Sequence, residues 1–426
     1  MKKITLSAVA ILSLASTFTT TLSASDEFTL FSNTKFNGEV RARYENVDVE
    51  DSILKNANAY TVRATLGFET NLLGLDGLTM KVDGTTVQSL SGTDYNGYAA
   101  TDKTHPYKDY QTVIDPEQTR FTQAYLQYKY GATALKAGRQ VMNLDNERFI
   151  GSVDWRQMMQ SMDAITLTNS SIAGLNLTGS YIYSYATVFD ERTQDSDSVL
   201  LNGNYKIADW LKITAYDYML SLEKSQFAAD TYGLALTGDV PAGIAKINYR
   251  AEYALQGDST FKTTTTNVKK ENSASYYNLD ALANISGVLV GAGYEVLSGA
   301  ETNAKGAIID GKTAFSTPLA TLHKFNGWAD KFLATPIGGL CDASATLGYT
   351  APNLGKAMIV YHDYETDVAM NGKSDLGKEW DMLYTNAIPG IKGLSGLAKA
   401  AYFEGGDVAT YTKDVSKVWL QVDYKF

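Results

Sequence analysis

The sequence predicts an all-β fold, a transmembrane antiparallel β-barrel of about 18 strands with both termini on the periplasmic side. Three observations carry this. Apolar and polar residues alternate over segments of about 10 to 14 residues, the gaps between segments are short and long in turn, and the chain ends on Phe426 at the close of an alternating segment. Strict alternation marks a sheet with two different faces. A soluble β-sandwich also alternates, but its strands usually run about 5 to 6 residues. Longer segments ending in aromatic residues fit tilted strands that cross an outer membrane, with apolar side chains toward lipid and polar ones toward a lumen.

The first segment, 34–47, sets Phe36, Val40, Ala42 and Tyr44 against Lys35, Glu39, Arg41, Arg43 and Glu45. The second, 57–71, sets Tyr60, Val62, Ala64, Leu66 and Phe68 against Thr61, Arg63, Thr65 and Glu69. Segments 77–90, 118–130, 132–144, 161–169, 174–187, 197–207, 209–222 and 229–238 follow, with weak alternation at 135–141 and 211–222. In 243–257, Ile247, Tyr249, Ala251, Tyr253 and Leu255 oppose Lys246, Asn248, Arg250, Glu252 and Gln256. Segments 273–284, 288–298, 341–350, 354–366, 375–387 and 392–405 lead to 414–426. In that last one Val418, Leu420, Val422, Tyr424 and Phe426 oppose Lys417, Trp419, Gln421, Asp423 and Lys425.

The gaps sort by parity. After even-numbered segments they are tight, as at 131–133, 207–210, 239–243, 285–287, 351–355 and 388–394; after odd-numbered ones they are often long, notably at 91–117, 145–160, 258–272 and 299–340. Short periplasmic turns and long external loops give this pattern. A sandwich has no reason to sort its loops this way.

Residues 1–24 read as a secretory signal: Lys2 and Lys3, an apolar run over 4–14, and small residues Ser23, Ala24 and Ser25. The barrel then occupies 25–426. The whole chain has 426 residues, Lys+Arg 37 and Asp+Glu 47, so losing Lys2 and Lys3 leaves 35 − 47, a mature charge of −12. That balance argues against a nucleic-acid partner. Aromatic residues at 11% argue against disorder, and the lone Cys341 excludes a disulfide scaffold. His105, His323 and His362 show no metal-ligand spacing, and neither a nucleophile elbow nor a phosphate loop is present, so no enzyme, cofactor or metal site is expected. Loop acids Asp94, Asp102 and Asp109 are the remaining candidates, for Ca2+.

Arg41, Arg43, Arg63 and Arg250 fall on polar faces. At mid-membrane the lipid face would cost each about 2 to 4 kcal/mol, which assigns them to the lumen. A guanidinium is always charged and its fork fits a carboxylate, so these residues either attract anionic solutes or pair with wall acids such as Glu39, Glu45, Glu252 and Asp423.

Two further stretches go beyond a generic barrel. Residues 137–167 hold Gly138-Arg139-Gln140, Arg148 and Asp154-Trp155-Arg156-Gln157; residues 317–343 hold the run from His323 through Trp328 to Asp330. Together they resemble the alginate-export family of outer-membrane proteins, whose members include eighteen-stranded barrels. The resemblance implies a passive channel in the bacterial outer membrane for polar, anionic solutes or saccharides, narrowed by arginines. Arg139, Arg148 and Arg156 then join Arg41, Arg43, Arg63 and Arg250 as pore-lining, anion-attracting residues, and Asp154, Trp155, His323, Trp328 and Asp330 form the loop motif. The expected partners are outer-membrane lipid, the barrel-assembly machinery through Phe426, and small solutes. The alternatives are an unselective general porin with a structural role, and a secreted carbohydrate-active or carbohydrate-binding β protein.

Overall fold

The computed structural model describes residues 30–426 apart from 91–93, 98–106, 190–192, 224, 226, 258, 263–266, 271–272 and 302–312. Residues 1–24, read as the signal, and Asp102 and His105 of the 91–117 loop lie outside the described residues.

The strands are β1 (Phe31–Val49), β2 (Ala57–Leu72), β3 (Leu78–Ser89), β4 (Gln118–Tyr130), β5 (Thr133–Gln140), β6 (Ser161–Asn169), β7 (Leu175–Ala186), β8 (Gln194–Ala208), β9 (Leu211–Leu222) and β10 (Phe227–Ala242). They continue with β11 (Ala245–Gly257), β12 (Ser259–Lys262), β13 (Asn267–Lys270), β14 (Ala274–Ile285), β15 (Val288–Leu297), β16 (Leu340–Ala351), β17 (Gly355–Met370), β18 (Lys373–Ala387), β19 (Leu394–Gly405) and β20 (Val415–Lys425). Eighteen of them form one antiparallel sheet. β12 and β13 pair only with each other, as a hairpin in the stretch read from sequence as the 258–272 loop.

The sheet closes because β20 pairs with β1, setting Arg41 opposite Asp423 and Ala42 opposite Val422. Two backbone bonds between Gly38 and Phe426 extend that seam, at 3.0 and 3.1 Å. A Cβ on Gly38 would lie 2.1 Å from the Phe426 ring, so glycine is what lets the terminal aromatic lie flat there. Closure removes both edges of the eighteen-stranded sheet, which a barrel in lipid requires.

One rim carries tight turns of two to six residues, such as 131–132, 209–210, 243–244 and 388–393. The other carries the long connections 90–117, 141–160 and 298–339 together with shorter ones. The outer wall is apolar as expected: Phe36, Val40, Tyr60, Tyr253, Leu420, Val422 and Tyr424 are exposed, while their strand neighbours Arg41, Arg43, Arg63, Arg250, Gln421 and Asp423 are buried toward the interior.

The interior departs from a simple wet lumen. Toward the long-loop rim it is filled by an apolar cluster in which Phe149 meets Tyr216 at 5.3 Å and Tyr276 at 5.3 Å, and Phe332 meets Tyr364 at 4.6 Å. This explains the weak alternation of β9. Tyr216, Tyr218, Leu220 and Leu222 all face inward, against an inserted loop instead of water. β5 is weak for a second reason: it ends at Gln140, where the chain leaves the wall, instead of running on to 144.

Candidate functional site

Three connections turn into the barrel, and wall charges hold them. The 91–117 stretch, expected to be an external loop, packs some of its described residues inward while Lys108, Asp109 and Glu117 stay exposed. Tyr95 and Val113 sit on Val47, Ala57 and Ala59. Asp115, fully buried, accepts the Gln157 backbone N–H at 2.7 Å and faces Arg43 at 3.7 Å.

The 141–160 loop is gripped by β1, β2 and β20. Arg41 bonds Asp423 at 2.7 Å and donates to the Asp154 carbonyl at 2.8 Å. Arg63 spans Asp154 at 2.7 Å and Glu39 at 2.5 Å. Arg43 donates to Gln421 and to the Trp155 carbonyl, and its guanidinium lies 4.2 Å from the Trp155 ring centre. Such a stack adds a cation–π contribution to the hydrogen bonds.

Trp155 is also where the third connection joins. The His323 imidazole stacks on it at 4.3 Å and 5°. His323 Nδ1 lies 2.7 Å from Asp330, and its Nε2 lies 2.8 Å from Lys399 Nζ. An ionised carboxylate only accepts, so the imidazole carries a proton on Nδ1 and donates it to Asp330. Burial pushes His323 well below its ordinary range, Lys399 and Arg156 add to this, and Asp330 opposes it. Burial alone would raise the Asp330 carboxyl, but His323, Lys417 and Arg156 outweigh it and hold it well below the usual carboxylate range. Arg156 pairs with Asp330 at 2.8 Å and Glu45 at 3.0 Å; burial alone would lower it, and the two acids raise it on balance. Trp328 sits under Lys399 at 3.6 Å. The backbone N–H groups of Trp328 and Ala329 donate to Asp381 and Glu379, at 3.1 and 2.6 Å.

On the far wall, Arg148 forks onto Glu295 at 2.8 and 3.1 Å and reaches Asn326 at 3.0 Å. Arg250 bonds Asp145 at 2.5 Å and Glu252 at 2.8 Å. Beside Arg148 a cavity of about 140 Å³ is lined by Asp280, Glu295, Asn326, Asp342 and His362.

The structure therefore brings Arg41, Arg43, Arg63, Arg156, Asp154, Trp155, His323, Trp328 and Asp330 into one network, buried apart from the half-exposed Asp154 and the partly buried Trp155 and Trp328, with Arg148 and Arg250 as separate staples. Arg139 stands apart from the pore-lining expectation. It shares a face with exposed Leu135 and Ala137, and binds Asp163 at 2.8 and 2.9 Å beside outward Ile165. Pairing with Asp163 makes a charge on the outer face tolerable there. Each of these seven arginines sits within ion-pair distance of a carboxylate, so the pairing alternative describes their geometry better than free anion attraction. Asp115, Lys399 and Glu379 were not foreseen; nothing in their local sequence separates them from other wall or loop residues.

A family model described as alginate export matches residues 79–296, more than half of the chain. The chain belongs to the alginate export family. That family and the closed barrel make it an outer-membrane protein with the architecture of transport porins. No curated protein matches it significantly. Among solved structures, OccAB4 of Acinetobacter baumannii aligns with a TM-score of 0.69 at 16% identity, over 93% of this chain and 98% of that one. OccK9 (OpdG) of Pseudomonas aeruginosa aligns at 0.69 and 16% identity, over 92% and 98%. OpdK of Pseudomonas aeruginosa, solved with vanillate, aligns at 0.68 and 13% identity, over 93% and 100%. At these identities the likeness concerns the fold.

Proposed function

We propose that this alginate export family member is a passive outer-membrane channel for small polar solutes, anionic ones above all. Solutes diffuse through a lumen narrowed by the inward 141–160 and 298–339 loops. The observation that carries this reading is a polar inner wall beneath a constriction whose loops are fastened by buried charges, from Arg41–Asp423 to Arg156–Asp330. Such fastening holds a narrow passage at fixed width, where a floppy loop would plug or vacate it. Residues 1–24 would be removed on export, the tight turns would face the periplasm, and Phe426 would be read by the assembly machinery.

A second reading, a general porin with little selectivity, draws support from the neutralised arginines. Paired charges across a pore create a local field without much net attraction. Planar-bilayer recording separates the two. Discrete conductance with reversal potentials displaced toward anions supports the first; unselective conductance supports the second. Absent conductance, or a clear cation preference, would sink the anion channel. The outer-membrane family speaks against the secreted carbohydrate-active alternative.

A further inference from the structure

The paired arginines leave open where the anion attraction comes from, and the other half of the lumen supplies a source. Lys129 lies between the outward rings of Tyr128 and Tyr130, and Lys425 between those of Tyr424 and Phe426, so both ammonium groups belong to the inner face. Lys136 lies between exposed Leu135 and Ala137 and projects inward over the Tyr125 ring at 4.6 Å. Lys356 shares the inner face with Val360, opposite exposed Ala357 and Ile359. All four sit within a few residues of a tight turn or the chain's end: 131–132 for Lys129 and Lys136, 352–354 for Lys356, and the end of β20 for Lys425. Among the described residues none of the four has a carboxylate within 4.0 Å.

The opposite rim carries more exposed acids than exposed lysines, with Lys55, Lys373 and Lys413 among the latter. Glu50, Glu117, Asp195, Asp367 and Glu404 are exposed there. The fixed charge thus shifts along the barrel axis, from an excess of carboxylates at the long-loop rim, through a neutralised constriction, to an excess of ammonium groups at the tight-turn mouth, where Glu69, Asp76 and Asp209 are the exposed acids. Charges of one sign in a low-dielectric cleft raise the local concentration of counter-ions.

We propose that these four lysines make the tight-turn mouth an anion-gathering vestibule, so that small carboxylates and phosphates are captured from that side and the current rectifies. An ammonium is a compact point charge without the fork of a guanidinium, so it collects either oxyanion without fixing its orientation. The inference rests on the channel reading and assigns its selectivity to lysine instead of arginine.

The test uses the full folded chain in planar bilayers under a KCl gradient, beside a variant with Lys129→Gln, Lys136→Gln, Lys356→Gln and Lys425→Gln. The parent is expected to show a chloride-side reversal potential and an asymmetric current–voltage curve at about 0.1 M salt. Both should fade near 1 M, where the screening length falls to about 3 Å. Citrate added to one chamber at a time should block from a single side. In the variant the selectivity, the rectification and the one-sided block should all be lost while conductance persists. A conducting variant that keeps them overturns the lysine assignment alone, as does a parent with a symmetric curve. A parent with no conductance steps overturns the channel reading, and this one with it. Heat-modifiable gel mobility verifies folding; should the fourfold variant fail, Lys129→Gln/Lys136→Gln and Lys356→Gln/Lys425→Gln are read as pairs, each expected to lose part of the selectivity.

Discussion

The two halves of the interior use charge in opposite ways. Toward the long-loop rim, Arg156, Lys417, Glu45 and Asp330 are buried and mutually neutralised, with neutral His323 bonded to Asp330, and they fasten loops. Toward the tight turns, Lys129 and Lys425 are solvated, with no carboxylate within ion-pair distance among the described residues. The same residue classes therefore do different physical work. A buried charge must be compensated, because leaving water costs several kcal/mol per ion, and it then has little field left for a solute. A solvated charge keeps its field, subject to screening.

The largest effect that would break this contrast is at Arg156. Arg156→Ala leaves Glu45 and Asp330 buried without their shared partner, a loss of about 3 to 5 kcal/mol. The expected outcome is release of both inward loops, seen as faster proteolysis between 141 and 160 and as larger, noisier conductance steps. Phe149→Ala should cost about 3 kcal/mol by opening a cavity against Tyr216 and Tyr276, measured as a lower unfolding temperature in detergent.

Acid acts in the same direction with a smaller effect. His323 is held below its ordinary value of 6.5, so the released loop binds a proton that the packed loop refuses. Its contribution is complete above about pH 6.5 and declines as pH falls below that. Asp330, held below its ordinary 3.8, adds a second loss below that value. Conductance noise should therefore rise between pH 7 and pH 5, and His323→Asn should flatten that upper limb. The smallest effect is expected at Arg139→Ala. This pair faces outward, away from the lumen, so reversal potentials should be unchanged.

How much of this was legible depended on what each face meets. Where a strand separates lipid from water or charge, as in β1, β2, β11 and β20, alternation placed Arg41, Arg63, Arg250 and Asp423 inward correctly. Trp419 was assigned to the inner face by parity alone, and it is there, fully buried against Trp155. Where the inner face meets a loop, as in β9, both faces are apolar and the period vanishes. Arg139 joins the pore-lining set through the family resemblance alone, and the structure turns it outward to Asp163 on the next strand, a pairing that its own short strand does not signal. The loop motif around Trp155 and His323 was visible only as a family resemblance. Its partner Asp115, more than two hundred residues from His323, left no local signal, since the contacts that bury it are set by closure of the barrel.

The division between a packed half and a wet half is tested most directly by cysteine accessibility. With Cys341→Ser as background, Leu220→Cys and Lys136→Cys place single thiols on the inner face of the two halves. A membrane-impermeant thiol reagent should label the Lys136→Cys protein quickly and leave the Leu220→Cys protein unmodified until it is unfolded. Equal labelling of the two folded proteins would contradict the account.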